Sequence, residues 1–277
     1  MKARSDIARA DRPGPIGRAA GRLLAGAALA LAASLGGTAL GCDLPARLDG
    51  RVVSLTPGGE LGLADGRTVR LAAVSLDSAD PDHAGALATA LRELALGRDI
   101  TVAMPAETLD RHGRLGGLVT FAGKDGETLQ ATLAGLGLAL ARPEEGFLYC
   151  LDDIHAQERL ARAAGYGLWE RGGLDAADVG AIRGRSGHFA VIEGRIHDIG
   201  EGRSLRFLNF GPVWRHDLTV RIPRESDPAF VAAGIDASAL AGQRVRVRGV
   251  VFEAGGPAID VRWPAQIERT EGGGGTR

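Results

Sequence analysis

The chain reads as mainly β with α: two small five-stranded barrels in tandem, the first carrying three helices. Three observations predict this. Short apolar stretches recur between glycine-bearing turns, first over residues 51–122 and again over 187–262. Three segments near the first set show helical spacing and stop at Gly97, Gly137 and Gly165. At 277 residues the chain exceeds the usual single-domain size, so two cores are expected. Hydrophobic residues make up 45% and aromatics only 4%, so those cores must be built from Leu, Val, Ala and Ile.

In chain order, residues 1–41 read as a targeting segment. Lys2, Arg4, Arg9, Arg12, Arg18 and Arg22 precede an apolar run over 23–40. Small residues in Ala39-Leu40-Gly41 and an alanine-rich run fit a cleaved signal peptide and an exported, periplasmic or extracellular protein. An apolar run of this length also approaches a bilayer span, so a membrane anchor stays open. Cys42 and Cys150 are the only cysteines. An even pair in an exported chain reads as a disulfide, and lipidation of Cys42 is the rival reading.

The first domain spans 48–171. Strands are expected at 51–55, 60–63, 68–74, 99–104 and 116–122, with an Asp65-Gly66 turn joining the second to the third. Helices are expected at 84–96, 128–136 and 154–164. Arg70 stands inside a strand, where a charged residue needs an explanation. After Gly172-Gly173 the pattern restarts, and the second domain spans 172–270. Its strands are expected at 187–196, 204–210, 218–222, 243–251 and 258–262, with a short helix at 227–233. The glycine-rich tail, 271–277, reads as disordered.

A formal net charge of -1 gives no global field for nucleic acid, so any such role needs a local patch. Arg244, Arg246 and Arg248 alternate along one strand and share a face. With Arg206, Phe207, Phe210 and Trp214 they form a candidate platform for single strands. The competing reading is a solvated outer face, because Glu193, Asp198, Glu201, Asp217 and Glu225 lie in the same domain. The six histidines are scattered and lack zinc-site spacing.

Arg70 in its strand, the turn Asp110-Arg111-His112-Gly113-Arg114, the helix over 87–96 and the run from Glu158 to Trp169 together resemble the staphylococcal-type thermonuclease domain over residues 48–171. Through Phe207-Leu208-Asn209-Phe210-Gly211, the run from Trp214 to Val220 and the run from Gly242 to Gly249, the second half is similar to the accessory oligonucleotide/oligosaccharide-binding (OB) domain of some exported thermonuclease-like proteins. The resemblance implies OB-type barrels, phosphodiester hydrolysis with calcium, and Arg70 and Arg114 as phosphate-binding residues. It also implies structural roles for Glu158 and Arg162, an i, i+4 pair, and for Trp169, which closes the core.

The acidic half departs from the family. Its aspartate-rich turn falls on Pro57-Gly58-Gly59-Glu60, so Gly59 takes a calcium-ligand position; counted from Arg70, Ser75 takes the second ligand and Ser78 the general base. Calcium needs charged oxygens, and a neutral hydroxyl is no base at neutral pH. Two arginines without them bind phosphate rather than cleave it. Asp77-Ser78-Ala79-Asp80 repeats the acidic spacing two residues late, with Glu60, Asp80 and Asp82 as further substitutes, and defines the alternative: a calcium-dependent endonuclease using Asp77 and Asp80. The expectation is therefore a phosphate- or single-strand-binding or structural module with no cofactor, calcium entering only if it is active. A third class is an envelope module that binds a protein partner and meets a membrane only through its N-terminal segment.

Overall fold

Alternating apolar residues make β1 (Ala46–Leu55) the spine of the first sheet. β2 (Leu61–Leu63) and β3 (Thr68–Leu71) follow as a hairpin around Asp65-Gly66, and β4 (Val74–Ser75) is a separate short strand. Helix α1 (Pro81–Leu94) starts where Asp80 accepts a hydrogen bond from the Asp82 N–H and Pro81 fixes the first turn. Then come β5 (Asp99–Met104), β6 (Leu115–Phe121), α2 (Leu129–Gly135), capped by Thr128, β7 (Leu140–Ala141) and α3 (Asp152–Ala164), which stops at Gly165. The computed structural model describes residues 42–77, 80–122 and 126–270. The expected targeting segment, Ser78 and the glycine-rich tail lie outside the described residues.

The fold is mainly β with helices, and β1-β2-β3-β6-β5 close a five-stranded barrel. Closure depends on the parallel pairing of β3 with β6, which sets Arg70 opposite Gly116. Buried Gln130 secures that pairing from α2: it donates to Ala72 O and Gly117 O and accepts from the Val119 N–H. Val52, Leu61, Val69, Val102 and Val119 fill the core, and Leu91, Leu133 and Ile154 seal it from the three helices.

The strand expected over 68–74 is broken. Ala73 has φ +62°, the one non-glycine with positive φ among the described residues. Its conformation is held by the loop after β7: its carbonyl accepts from the Arg142 N–H at 2.8 Å and its N–H donates to Glu144 at 3.3 Å. The chain therefore leaves the barrel after Leu71, and Ser75 in β4 pairs with Leu140 of β7.

The second half contains β8 (Leu174–Asp175), α4 (Val179–Arg183), β9 (Phe189–Arg195), β10 (Asp198–Glu201), β11 (Leu205–Asn209), β12 (Thr219–Pro223), α5 (Asp227–Ala232), β13 (Arg244–Glu253), β14 (Pro257–Asp260) and β15 (Ile267–Arg269). These strands form one eight-stranded sheet, where five were expected: β10-β11-β12-β14-β13-β9-β8, with β15 added beside β13. Ile192, Leu208, Val220, Val247, Ile259 and Phe230 fill its core.

Trp169 does not close the first core. It joins Leu140, Ala161, Phe189 and Val191 in a separate buried cluster where α3 meets β9. Cys42 and Cys150 are disulfide-bonded, which ties the chain ahead of β1 to the turn before α3.

Candidate functional site

Arg70 and Arg114 lie beside each other at the parallel seam, linked through Asp110. Arg70 makes a two-pronged contact with Glu144, and its Nε stands 4.0 Å from Asp110. Arg114 donates to Asp110 through Nε and Nη2 at 3.0 and 2.8 Å, and to Glu60 through Nη1 at 2.7 Å. Room for the Arg70 guanidinium comes from Gly116, where a Cβ would stand 2.7 Å from Arg70 Nη2. A recess of about 300 Å³ opens here between the 105–110 and 144–147 segments.

Three carboxylates thus face two guanidiniums, and the cluster carries net negative charge. Burial works against the Asp110 charge, yet the Arg114 guanidinium and the N–H groups of Arg114 and His112 hold its carboxyl well below the usual range. An incoming phosphate would have to displace carboxylates already bound in charge-assisted geometry. Glu144 gave no sequence signal, because it lies 74 residues from Arg70. The pairing of a proline and a glycine around it, Pro143 and Gly146, marks only a turn.

The expected calcium ligands do not fit this geometry. Gly59 is buried at φ +84°, and a Cβ there would meet Leu76 Cδ1 at 2.7 Å, so no carboxylate can replace it without rebuilding the turn. Ser75 is buried within β4, away from the strand that carries Arg70. Glu60, a possible substitute, is bound by Arg114, and Thr56 also donates to it.

The shifted acidic motif is also redirected. A two-residue insertion preserves facing only inside a continuous strand, and the break at Ala73 removes that condition. Asp77 accepts a hydrogen bond from His188 Nδ1 at 2.8 Å, and Asp80 caps α1.

The arginine row of β13 does share a face, and that face is buried at Arg246 and Arg248 but partly open at Arg244. Arg244 and Arg246 both bind Glu193, Arg246 also binds Glu268 at 2.6 Å, and Arg248 binds Glu158 of α3 at 3.0 Å. Arg246 is 7% exposed and Arg248 1%, so neither can meet a ligand. In place of the expected basic platform the row is a ladder of alternating charge, and burial of Arg246 and Arg248 also corrects the solvated-face reading at those two positions. Arg206 is likewise buried on Glu201 and Asp227. Trp214 is exposed, with the Arg215 guanidinium 5.0 Å above its ring.

Glu158 does not pair with Arg162. Its two oxygens take Arg248 and the Ala141 N–H, while Arg162 stacks over Trp169 at 5.7 Å. Burial opposes the charges of Glu193 and Glu268, but their arginine partners hold both carboxyls below the ordinary value.

Beside this ladder, burial first and the Arg248 charge second push the pKa of His155 down to about 4. Glu158, Glu268 and Arg159 also face it. The unfolded chain therefore takes up this proton before the folded one, and stability falls as pH drops from about 6.5 to about 4. Urea midpoints at pH 7 and pH 4.5 should differ less in His155→Gln than in the parent protein. Equal differences would remove His155 from the acid response.

Comparison of the sequence with protein-family models and with curated proteins finds no match in either.

Proposed function

We propose that the chain is an exported, thermonuclease-like protein of two OB-type barrels that does not hydrolyse phosphodiesters, and that its Arg70–Arg114 site is a latch holding the first barrel closed. The observation that carries this reading is the occupation of both guanidiniums by Glu144, Asp110 and Glu60. The latch joins β3, the 110–114 turn, the turn before β2 and the loop after β7, all around the parallel seam.

Two further features support the architecture. The strand order β1-β2-β3-β6-β5 with a parallel closing pair is consistent with an OB barrel. In the second sheet, the chain passes from β9 through Ile196 and His197 directly into β10, so a strand next to one edge of the sheet continues into the strand at the opposite edge, which supports a second barrel. Export rests on the composition of residues 1–41 and on the Cys42–Cys150 bond, which requires an oxidising compartment.

Incubating the purified, disulfide-bonded protein with plasmid and single-stranded DNA, with calcium and then with chelator, tests the reading. No calcium-stimulated cleavage is expected, since loss of a general base alone typically removes about 10²–10⁴-fold in rate. Arg114→Ala should leave that null activity unchanged while lowering stability by about 1–3 kcal/mol, because Asp110 and Glu60 lose their partner. Calcium-dependent turnover abolished by Asp77→Ala or Asp80→Ala would establish the endonuclease instead.

A second reading, an envelope module with a protein partner, is favoured by exposed apolar side chains near α2 and α3. Leu136, Leu160 and Tyr166 are exposed there, and the 137 and 166–167 backbones pack together.

A further inference from the structure

We infer that the recess between the two halves, lined by Arg142, Phe189, Phe252, Arg262, Trp263 and Gln266, binds a nucleotide unit: a phosphate together with a planar base. The inference goes beyond the latch assigned to Arg70 and Arg114 and does not depend on it.

Charge gives the first argument. Two carboxylates reach this recess, Glu144 and Asp260. Glu144 is bound by Arg70, and Asp260 by Arg221 at 2.6 and 3.0 Å, so neither is free to neutralise anything else. Arg142 and Arg262 are exposed, and among the described residues neither has a carboxylate within ion-pair distance. Two uncompensated guanidiniums, one from each half, therefore line one concavity. The arginines expected from sequence to bind phosphate have their charge met inside the protein, whereas these two do not.

Shape and rigidity give the second. The recess measures about 320 Å³, near the lower end of small-molecule sites and enough for one nucleotide unit. Arg142 is fixed at its backbone by the hydrogen bond to Ala73 O, and its guanidinium lies 5.9 Å above the Phe189 ring. On the other wall, the N–H groups of Arg262 and Trp263 both donate to buried Gln266, whose amide donates in turn to Arg248 O and Asp260 O. The backbones that carry both cations are thus set before any ligand arrives, which lowers the ordering cost of binding.

Recognition follows from the side chains. Guanidinium groups match phosphate oxygens in two-pronged geometry, and Trp263 offers a ring against which a base can stack. An acidic peptide satisfies the charge but leaves the ring unused, so a nucleotide uses more of the site. The unit can come as a free mononucleotide or as part of a single strand.

Fluorescence anisotropy of a labelled dT12 strand on the intact, disulfide-bonded protein at low salt tests this. Binding is expected, and Arg142→Ala combined with Arg262→Ala should weaken it at least tenfold and reduce the slope of log K against log salt by about 1.4, the loss of two phosphate contacts. Trp263→Ala should weaken binding by about tenfold or more. Arg215→Ala, beside exposed Trp214, should leave it unchanged. Near-ultraviolet circular dichroism confirms that each variant is folded. Competition by AMP assigns the recess to a free nucleotide, while failure of AMP to compete assigns it to a strand; both support the site. Absence of binding to either probe, equal competition by poly-glutamate, or a double variant that binds like the parent would overturn it.

Discussion

Glu158→Ala is expected to lower the unfolding free energy by about 3–5 kcal/mol, the cost of leaving one member of a buried ion pair without its partner. Both side chains are 1% exposed, and Glu158 also accepts the Ala141 N–H at 2.6 Å, so its removal leaves that backbone donor unpaired and the buried Arg248 guanidinium with only Ala141 O at 2.9 Å and Glu268 at 4.0 Å. The loss should be read from urea unfolding of the purified protein. Combining Glu158→Leu with Arg248→Met should recover much of it, because neither charge then remains to be desolvated. A single variant as stable as the parent would show that water reaches Arg248 in solution. Because Glu158 belongs to α3 and Arg248 to β13, the same measurement reports whether both halves unfold in one transition.

Replacing Cys42 and Cys150 by serine is expected to cost about 4–5 kcal/mol. The bond closes a loop of 108 residues, and freeing a loop of that length returns roughly this much unfolded-state entropy in the chain-entropy model. The melting temperature should fall by about 10–15 °C, given a few degrees per kcal/mol at this chain size. Calorimetry of the double variant checks the size of the effect, and mass spectrometry without reductant should find the linked peptide. A shift below about 2 °C, two free thiols, or a diacylated Cys42 would each contradict it.

Where local chemistry decides structure, the sequence was readable. Asp65-Gly66 turns the hairpin, and Gly97, Gly137 and Gly165 follow the three helices. The disulfide followed from the cysteine count. The break at Ala73 was not readable, because alanine carries no turn signal and its positive φ is imposed by contacts from Arg142 and Glu144, some 70 residues later. For the same reason the partners of Arg70 were invisible: a strand arginine announces that a carboxylate is needed without saying which. Arg-Val-Arg-Val-Arg over 244–248 reads as one wet face and one dry face, yet here α3 packs over Arg248 through Glu158, and Glu193 and Glu268 from the flanking strands β9 and β15 enclose Arg246. Arg142 and Arg262 stand out only once the other charges have been matched in space.

The disulfide also sets where mechanical load travels. A pull applied at Cys42 passes through a covalent bond to Cys150 at the foot of α3 rather than along the hydrogen bonds of β1, which sits between β2 and β5. β1 is therefore shielded from being peeled out of the barrel by whatever precedes residue 42. A tether at that end would drag on the domain as a solid body, and the barrel would hold its shape under tension until the sulfur–sulfur bond was reduced.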